Sequence, residues 1–184
     1  MNTTIAQRYL PALATNRAYQ ALLVIAGVVL LTLSAKLQVP FWPVPMTMQT
    51  FAVLMIGATC GARLGGATLL AYLATGAVGL PVFASGAGPA YMMGPTGGYL
   101  LGFLAAAMIT GALADRGYGR TIVSAVLMLL AGLAAIYILG AGWLAVLFGI
   151  DKAIAAGVIP FLPAEALKLA LAVVVMTAAS KAPR

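Results

Sequence analysis

The sequence has no histidine, one cysteine and three acidic residues among its 184 positions. Without histidine, a Ser-His-Asp triad, an HExxH zinc site and a histidine proton relay are all excluded. Cys60 cannot form an intrachain disulfide by itself, and its place in an apolar run is typical of a buried small hydrophobic residue. Together these shortages argue against an enzyme.

Nucleotide-binding motifs are also missing, although the chain contains 21 glycines. No G-x-x-x-x-G-K-[ST] sequence occurs. The glycine-rich run 85–91 fails the dinucleotide fingerprint, because Tyr91 stands where the third glycine belongs. We therefore expect that the chain neither binds nor hydrolyses ATP by itself, and no cofactor is indicated.

Apolar residues dominate what is present: they make up 64% of the chain, and the mean hydropathy is +1.09. A soluble core cannot bury that much apolar surface, so the composition predicts an integral membrane protein in contact with the lipid bilayer. The 10 Lys and Arg residues are scattered between apolar runs. They are typical of topology signals, and nothing in their spacing indicates a nucleic-acid partner.

The apolar runs predict an all-α fold, with six transmembrane helices forming one membrane domain over residues 1–184. The predicted spans are 21–35, 47–60, 64–80, 99–114, 121–140 and 164–180. We interpret the first as an uncleaved span, not a signal peptide, because a long polar segment precedes it and it continues through Lys36 into further apolar sequence. The second is short for a hydrocarbon core about 30 Å thick, so we expect it to extend into its flanks or to lie at an angle.

Segment 141–163 is ambiguous, because Asp151 and Lys152 interrupt two apolar stretches and a seventh span is conceivable. Charge counting favours six spans, which place seven of the ten Lys and Arg residues on the side of the N-terminus. These seven are Arg8, Arg17, Arg63, Arg116, Arg120, Lys181 and Arg184, and the remaining three are Lys36, Lys152 and Lys168. We therefore predict cytoplasmic N- and C-termini, and an outer connection at 141–163 that can hold a short helix on the membrane surface.

Small residues recur at four-residue spacing, at Gly57, Gly61 and Gly65 and again at Gly98 and Gly102. Such tracks let helix backbones approach closely, and we assign them to packing within the bundle. Gly61 and Gly65 are equally compatible with the inner turn between the second and third spans.

Glu165 and Lys168 are the only charged residues in the last predicted span. Three residues apart on a helix, they share one face, and an ionisable residue inside a membrane costs about 2.5–3.5 kcal/mol even on the lenient insertion scale. We interpret them as ligand contacts. Two alternatives remain: the two charges simply neutralise each other, or Pro160 and Pro163 place them at the membrane edge, where lysine can snorkel.

Two connections, 39–47 and 79–99, are rich in proline, glycine and aromatic residues. Non-helical backbone near membrane depth is tolerated where protein buries it or a cavity receives it, so we expect a lid or pocket wall. The aromatic residues that can form apolar walls, or equally an interfacial belt, are Phe41, Trp42, Phe83, Tyr91 and Tyr99.

Four motifs occur in order along the chain. They read Pro-Val-Pro-Met-Thr-Met-Gln-Thr at 43–50, Gly-Leu-Pro-Val-Phe-Ala at 79–84, Gly-Pro-Thr-Gly-Gly-Tyr-Leu at 94–100 and Pro-Phe-Leu-Pro-Ala-Glu-Ala-Leu-Lys at 160–168. In this order they resemble the motifs of the BioY family, the biotin-specific S components of energy-coupling factor (ECF) vitamin transporters. The resemblance runs from about residue 21 to residue 180.

The resemblance implies a six-helix protein of the bacterial cell membrane that captures biotin from the outer face. It also implies a transmembrane coupling subunit and two ABC-type ATPase subunits as partners. Matched positions imply that the substrate-binding residues include Glu165, Lys168, Tyr99, Ser85 and Gln49.

Two departures from the family pattern stand out. The final motif more often reads Gly-Asp-x-x-Lys, whereas this chain has Ala164-Glu165-x-x-Lys168. The Ala-x-x-x-Ala pattern with which S components often dock the coupling subunit is not found in the first span, where Gly27 and Ser34 are small residues at a different spacing.

The physical interpretation and the resemblance agree on the pocket. A Glu–Lys pair is net neutral and suits a ureido ring, whose N–H groups donate to the carboxylate while its carbonyl accepts from the ammonium. Phe83 and Tyr99 are then expected to line the apolar part of the pocket. Other classes remain open: a self-sufficient proton-coupled secondary transporter using Glu165, or a purely structural membrane subunit. An intramembrane enzyme is the weakest, because no serine has dyad spacing to Lys168.

Overall fold

The computed structural model describes residues 5–6 and 16–181. Two of the charges that the sequence assigns to the inner face, Arg8 and Arg184, lie outside the described residues.

Between residues 16 and 181 the chain is almost entirely helical, as predicted, with one small β-ribbon. The helices are α1 (Arg17–Lys36), α2 (Gln49–Ala77), α3 (Gly88–Met92), α4 (Gly97–Asp115), α5 (Ile122–Phe148), α6 (Ile150–Gly157) and α7 (Leu162–Lys181), with a 3-10 turn at Ile159–Phe161 before α7. Strands β1 (Gln38–Val39) and β2 (Met46–Thr47) pair antiparallel, with Gln38 opposite Thr47.

By length and composition alone, five helical segments could cross a membrane: Arg17–Lys36, Gln49–Ala77, Gly97–Asp115, Ile122–Phe148 and Ile150–Ala179. The second of these is interrupted at Gly61. Their outer surfaces carry large apolar side chains, and on α5 Val123, Ile138 and Val146 are each at least 70% exposed. So much exposed aliphatic surface is suited to lipid and not to water. The described chain is therefore a multi-pass membrane protein.

Helix α2 reverses direction at Gly61, whose φ of 81° and ψ of 172° are not helical. The amide Nε2 of Gln49 donates to the hydroxyl of Tyr72 at 2.7 Å, although the two residues are 23 positions apart. A continuous helix would separate them by roughly 34 Å. The element is therefore a hairpin of two antiparallel halves, α2a (49–60) and α2b (62–77), which correspond to the second and third predicted helices.

A side chain of α4 stabilises the hairpin turn. The backbone N–H of Ala62, the first residue of α2b, donates to Oδ2 of Asp115 at 3.1 Å. This carboxylate lies at a helix N-terminus, where a negative charge is favourable. The helix begins at Gln49, directly after β2, whereas the second span is predicted to begin near residue 47.

Segment 141–163 differs in part from its predicted form. Residues 141–148 are not a connection, because their unbroken apolar sequence continues α5 to Phe148. The helix ends at Gly149, whose φ of 88° suits glycine, and the short helix α6 follows. A short helix in this segment was expected. The predicted connection 79–99 likewise contains one, α3.

The glycine tracks pack helices together, as predicted. A Cβ atom on Gly57 of α2a would collide with the backbone of Ala107 on α4, and Gly65 lies directly against Gly57. On the other side of α4, Gly102 lies against the backbone of Ile136 on α5. These contacts bring α2a, α2b, α4 and α5 into one closely packed core.

The two long connections meet at the end of the bundle opposite Gly61. Lys36, at the end of α1, donates to the carbonyl of Phe83 at 2.6 Å. The indole N–H of Trp143 on α5 donates to the carbonyl of Gly94 at 2.9 Å. Glu165 also lies at this end, in the first turn of α7. The motifs singled out in the sequence are thus gathered at one end of the molecule.

Gly61→Ala is expected to destabilise the protein. The backbone conformation at Gly61 is essentially restricted to glycine and costs another residue on the order of 1–3 kcal/mol. The measurement is the thermal unfolding midpoint in detergent. Gly142→Ala is the matched control, because a Cβ atom at Gly142 meets nothing within 4 Å. Equal midpoints for the two variants would contradict the role given to Gly61.

Candidate functional site

A buried ion pair between Glu165 and Lys168 lies at the start of α7. Nζ of Lys168 is 2.7 Å from Oε1 of Glu165, and the two residues are only 9% and 3% exposed. Pro163 is compatible with a place at the beginning of a helix, and the acidic residue of the first turn is favoured by the helix dipole. The position of the pair therefore follows from where α7 begins.

Two threonines from the motif at 43–50 complete the polar cluster. The hydroxyl of Thr50 donates to Oε1 of Glu165 at 3.0 Å and lies 3.0 Å from Nζ of Lys168. Nζ also donates to the backbone carbonyl of Thr47 at 2.7 Å. An ammonium group has three N–H bonds, so these three acceptors use all of them.

Glu165 forms part of the wall of a cleft whose open space is about 430 Å³, part of it continuous with solvent. Only about 30 Å³ of this space can hold the centre of a water molecule, so a larger ligand requires the walls to move apart. The polar lining comes from Thr47, Gln49, Thr50, Thr96 and Glu165, with the tyrosines Tyr99 and Tyr137. The apolar lining includes Val44, Phe103, Ile136 and Phe161. The cleft is therefore mostly apolar with a few convergent polar groups, as ligand sites commonly are.

Three of the six residues predicted to bind substrate line this cleft: Glu165, Gln49 and Tyr99. The Tyr99 hydroxyl already donates to the carbonyl of Gly157 at 2.6 Å. Tyr99 therefore contributes its ring to the cleft wall, and not a free hydroxyl. Gln49 is oriented by the bond from its amide to Tyr72.

The other three predicted residues lie around the cleft and are not part of its lining. Lys168 is behind Glu165 and borders a separate groove beside the β-ribbon. Ser85 lines a neighbouring pocket, which shares Pro45 and Thr96 with the cleft. Phe83 is fully buried and stacks on Tyr91, with ring centroids 5.2 Å apart.

Sequence reasoning missed Thr50 and Tyr137. Thr50 is the last residue of the motif that supplied Gln49, and its membership of that motif was the available signal. Tyr137 lies on α5, within interaction range of the Glu165 carboxylate, and no motif marks it. Within the described ranges, 5–6 and 16–181, no group of three or more His, Cys, Asp or Glu side chains is placed to hold a metal ion.

Comparisons with known proteins agree on one family. The BioY family model matches residues 5–184. A protein of Pyrococcus horikoshii described as a probable biotin transporter BioY is 39% identical over 160 residues, which cover 86% of this chain and 94% of that protein. The biotin transporter BioY of Thermotoga maritima is 37% identical over 150 residues, covering 79% of this chain and 86% of that one.

A solved structure is similar over nearly the whole length. It is the crystal structure of the S-component for biotin from an ECF-type ABC transporter, with a TM-score of 0.78 and 25% sequence identity. The alignment covers 92% of this chain and 95% of that protein.

Thr50→Val is expected to destabilise the protein even without ligand. It removes the hydroxyl shared by both members of a buried ion pair, and a lost bond to a charged group costs about 1.5–3 kcal/mol. Thermal unfolding in detergent measures the effect. Thr50→Ser keeps the hydroxyl and is expected to remain near the parent, so equal losses in the two variants would contradict the hydrogen-bonding role.

Proposed function

The chain belongs to the BioY family, and from this premise we propose that it is the biotin-binding S component of an ECF-type vitamin uptake transporter. The observation that carries the proposal is the buried, net-neutral Glu165–Lys168 pair in the wall of a mostly apolar cleft. It is not an enzyme: the family is one of transporters.

In this proposal the ureido ring of biotin meets Glu165. The carboxylate lines the cleft and accepts a ureido N–H, while the ring of Tyr99 packs against the apolar part of the ligand. Lys168 acts differently from the sequence-based expectation. Since its three N–H bonds are already used, it orients Glu165 and balances its charge, and it reaches the ligand only by giving up one of these bonds.

We propose that the partners are a transmembrane coupling subunit and two ABC-type ATPase subunits. Two small residues of α1 are not available for docking: Gly27 packs against Thr68 of α2b, and Ser34 is buried. The outward face of α1 carries large apolar side chains, among them Leu22 and Ile25 at 62% and 60% exposure. A coupling subunit that docks on α1 would therefore meet this aliphatic face.

The alternative, a self-sufficient proton-coupled transporter, predicts different energetics. Uptake by the chain alone would then collapse with an uncoupler and survive ATP depletion. Under the S-component proposal, ATP-driven uptake requires co-expressed coupling and ATPase subunits.

We also propose six crossings of the bacterial cell membrane, with α2a and α2b each crossing, both termini cytoplasmic and the ligand site on the outer face. The support is the charge distribution: Arg63, Arg116 and Arg120 lie at the end of the bundle that contains Gly61, whereas Lys36 and Lys152 lie at the end that contains the site.

Glu165→Gln and Lys168→Ala are both expected to weaken biotin binding while the protein still folds. Glu165→Gln replaces a charge-assisted bond with a neutral one, which predicts a loss of about 1–3 kcal/mol, or roughly tenfold to a hundredfold in affinity. Lys168→Ala should cost at least as much, because it leaves a buried carboxylate unpaired. Titration of purified protein with labelled biotin measures both.

The control for this pair is Lys152→Ala. Lys152 is exposed and borders a different pocket, beside Trp42, so its loss should leave the affinity unchanged. Parent-like affinity in both Glu165→Gln and Lys168→Ala would mean that the pair is structural and that the ligand binds elsewhere.

The topology is tested by single cysteines in a Cys60→Ser background. Lys152→Cys is expected to react with a membrane-impermeant thiol reagent added to intact cells. Tyr118→Cys, in the exposed turn between α4 and α5, should react only after permeabilisation. The reverse pattern would place the ligand site in the cytoplasm.

A further inference from the structure

Three successive backbone carbonyls beside the cleft are each held by a side chain from another part of the chain. The Tyr72 hydroxyl donates to Val82 O at 3.1 Å. The Lys36 ammonium donates to Phe83 O at 2.6 Å, and the Gln38 amide donates to Ala84 O at 3.2 Å. We call residues 82–84 the clamped segment. Its backbone is irregular, so these bonds fix a shape that no helix or sheet imposes.

The side chain at the centre of the clamped segment is fixed as well. Phe83 is fully buried, stacks on Tyr91 and meets Tyr72 edge to face, with centroids 5.5 Å apart. Its ring occupies the space that a side chain at Gly76 would need. The segment is therefore held from both sides, by packing on its side chain and by donors on its carbonyls.

The hydrogen bond made by Lys36 is not the one expected from its position at the end of a helix. A lysine in the last turn of a helix commonly bonds that helix's own free carbonyls. Lys36 instead reaches a carbonyl 47 residues away along the chain. Its positive charge also lies at the outer end under the proposed topology, against the usual bias. Such a charge-assisted bond is stronger than a neutral one and has a specific acceptor.

The clamped segment borders the cleft at its last residue. Ala84 lines the cleft itself, and the next residue, Ser85, lines the neighbouring pocket. Through Tyr72 the segment is also joined to Gln49, another cleft residue, whose amide donates to the tyrosine hydroxyl that holds Val82. Movement of the segment would therefore alter one wall of the cleft directly and the orientation of Gln49 indirectly.

We infer that Lys36 is a positioning residue for the ligand site: by holding the clamped segment closed against the cleft, it sets how long a bound ligand stays. This inference rests on the proposed function, since the ligand is biotin. A wall that is ordered before binding lowers the ordering cost of the complex, and a loosened wall opens more often and releases ligand sooner. Differences of this kind appear mainly in the dissociation rate.

The test compares Lys36→Met with Lys36→Arg in detergent-purified full-length protein. Methionine keeps much of the side-chain length and removes the donor, whereas arginine keeps a cationic donor. We expect Lys36→Met to release labelled biotin about tenfold faster, with a smaller change in association rate, and Lys36→Arg to restore most of the parent's retention. Lys152→Met is the matched control and should release biotin at the parent's rate.

Two further measurements make the result specific. Amide hydrogen exchange without ligand should speed up in peptides covering 82–91 for Lys36→Met, and not in peptides from the centre of α4. If Lys36→Met does not fold, Gln38→Met removes the neighbouring donor from an exposed residue and is expected to show the same two changes.

The outcomes separate this inference from the proposed function. A parent that binds biotin, with unchanged release from Lys36→Met and Gln38→Met, overturns the positioning role alone. Faster release that Lys36→Arg does not restore, or that comes with faster exchange throughout the protein, also overturns it, because the effect would then be a general loss of stability. A parent that fails to bind biotin overturns both.

Discussion

A buried ion pair in an apolar bundle governs how one end of this protein is built. Removing either partner would leave an uncompensated charge, a change that typically costs about 3–5 kcal/mol. Both charges must therefore be satisfied locally, and the chain does this with Thr47 and Thr50, more than 110 residues before Glu165 in sequence. The need to satisfy the pair thus draws the β-ribbon, the start of α2a and the start of α7 together.

The irregular segments also need hydrogen-bond partners, in this case for their backbone groups. Backbone that is neither helix nor sheet must find hydrogen-bond partners where water is scarce. The carbonyl of Thr47 finds Lys168, and the carbonyls of residues 82–84 find Tyr72, Lys36 and Gln38. Polar side chains at this end therefore satisfy the loops while they shape the cleft, which explains why the motifs of the sequence cluster here.

Composition and apolar runs were enough to predict the helical membrane fold, since length and hydropathy alone decide which segments can span. The hairpin at Gly61 could also be anticipated, because glycine and Arg63 interrupt the run. The end of α5 could not be predicted, because the composition of the residues before Gly149 does not distinguish a continuing helix from an apolar connection. At the site, charge identified Glu165 and Lys168, but Thr50 and Tyr137 are ordinary membrane-helix residues whose role depends on contacts between distant segments.

The geometry of the pair decides what kind of ligand the cleft favours. With its three N–H bonds directed at Thr47, Thr50 and Glu165, Lys168 does not present a free cation to the cleft. The polar group that the cleft does present there is the carboxylate of Glu165, an acceptor that attracts N–H donors and repels anions. A ligand carrying both a neutral donor group and a carboxylate would bind with the donor group at Glu165 and the carboxylate directed away. Under the proposed function, this predicts that the ureido ring of biotin enters first and that its acidic chain extends toward the opening of the cleft.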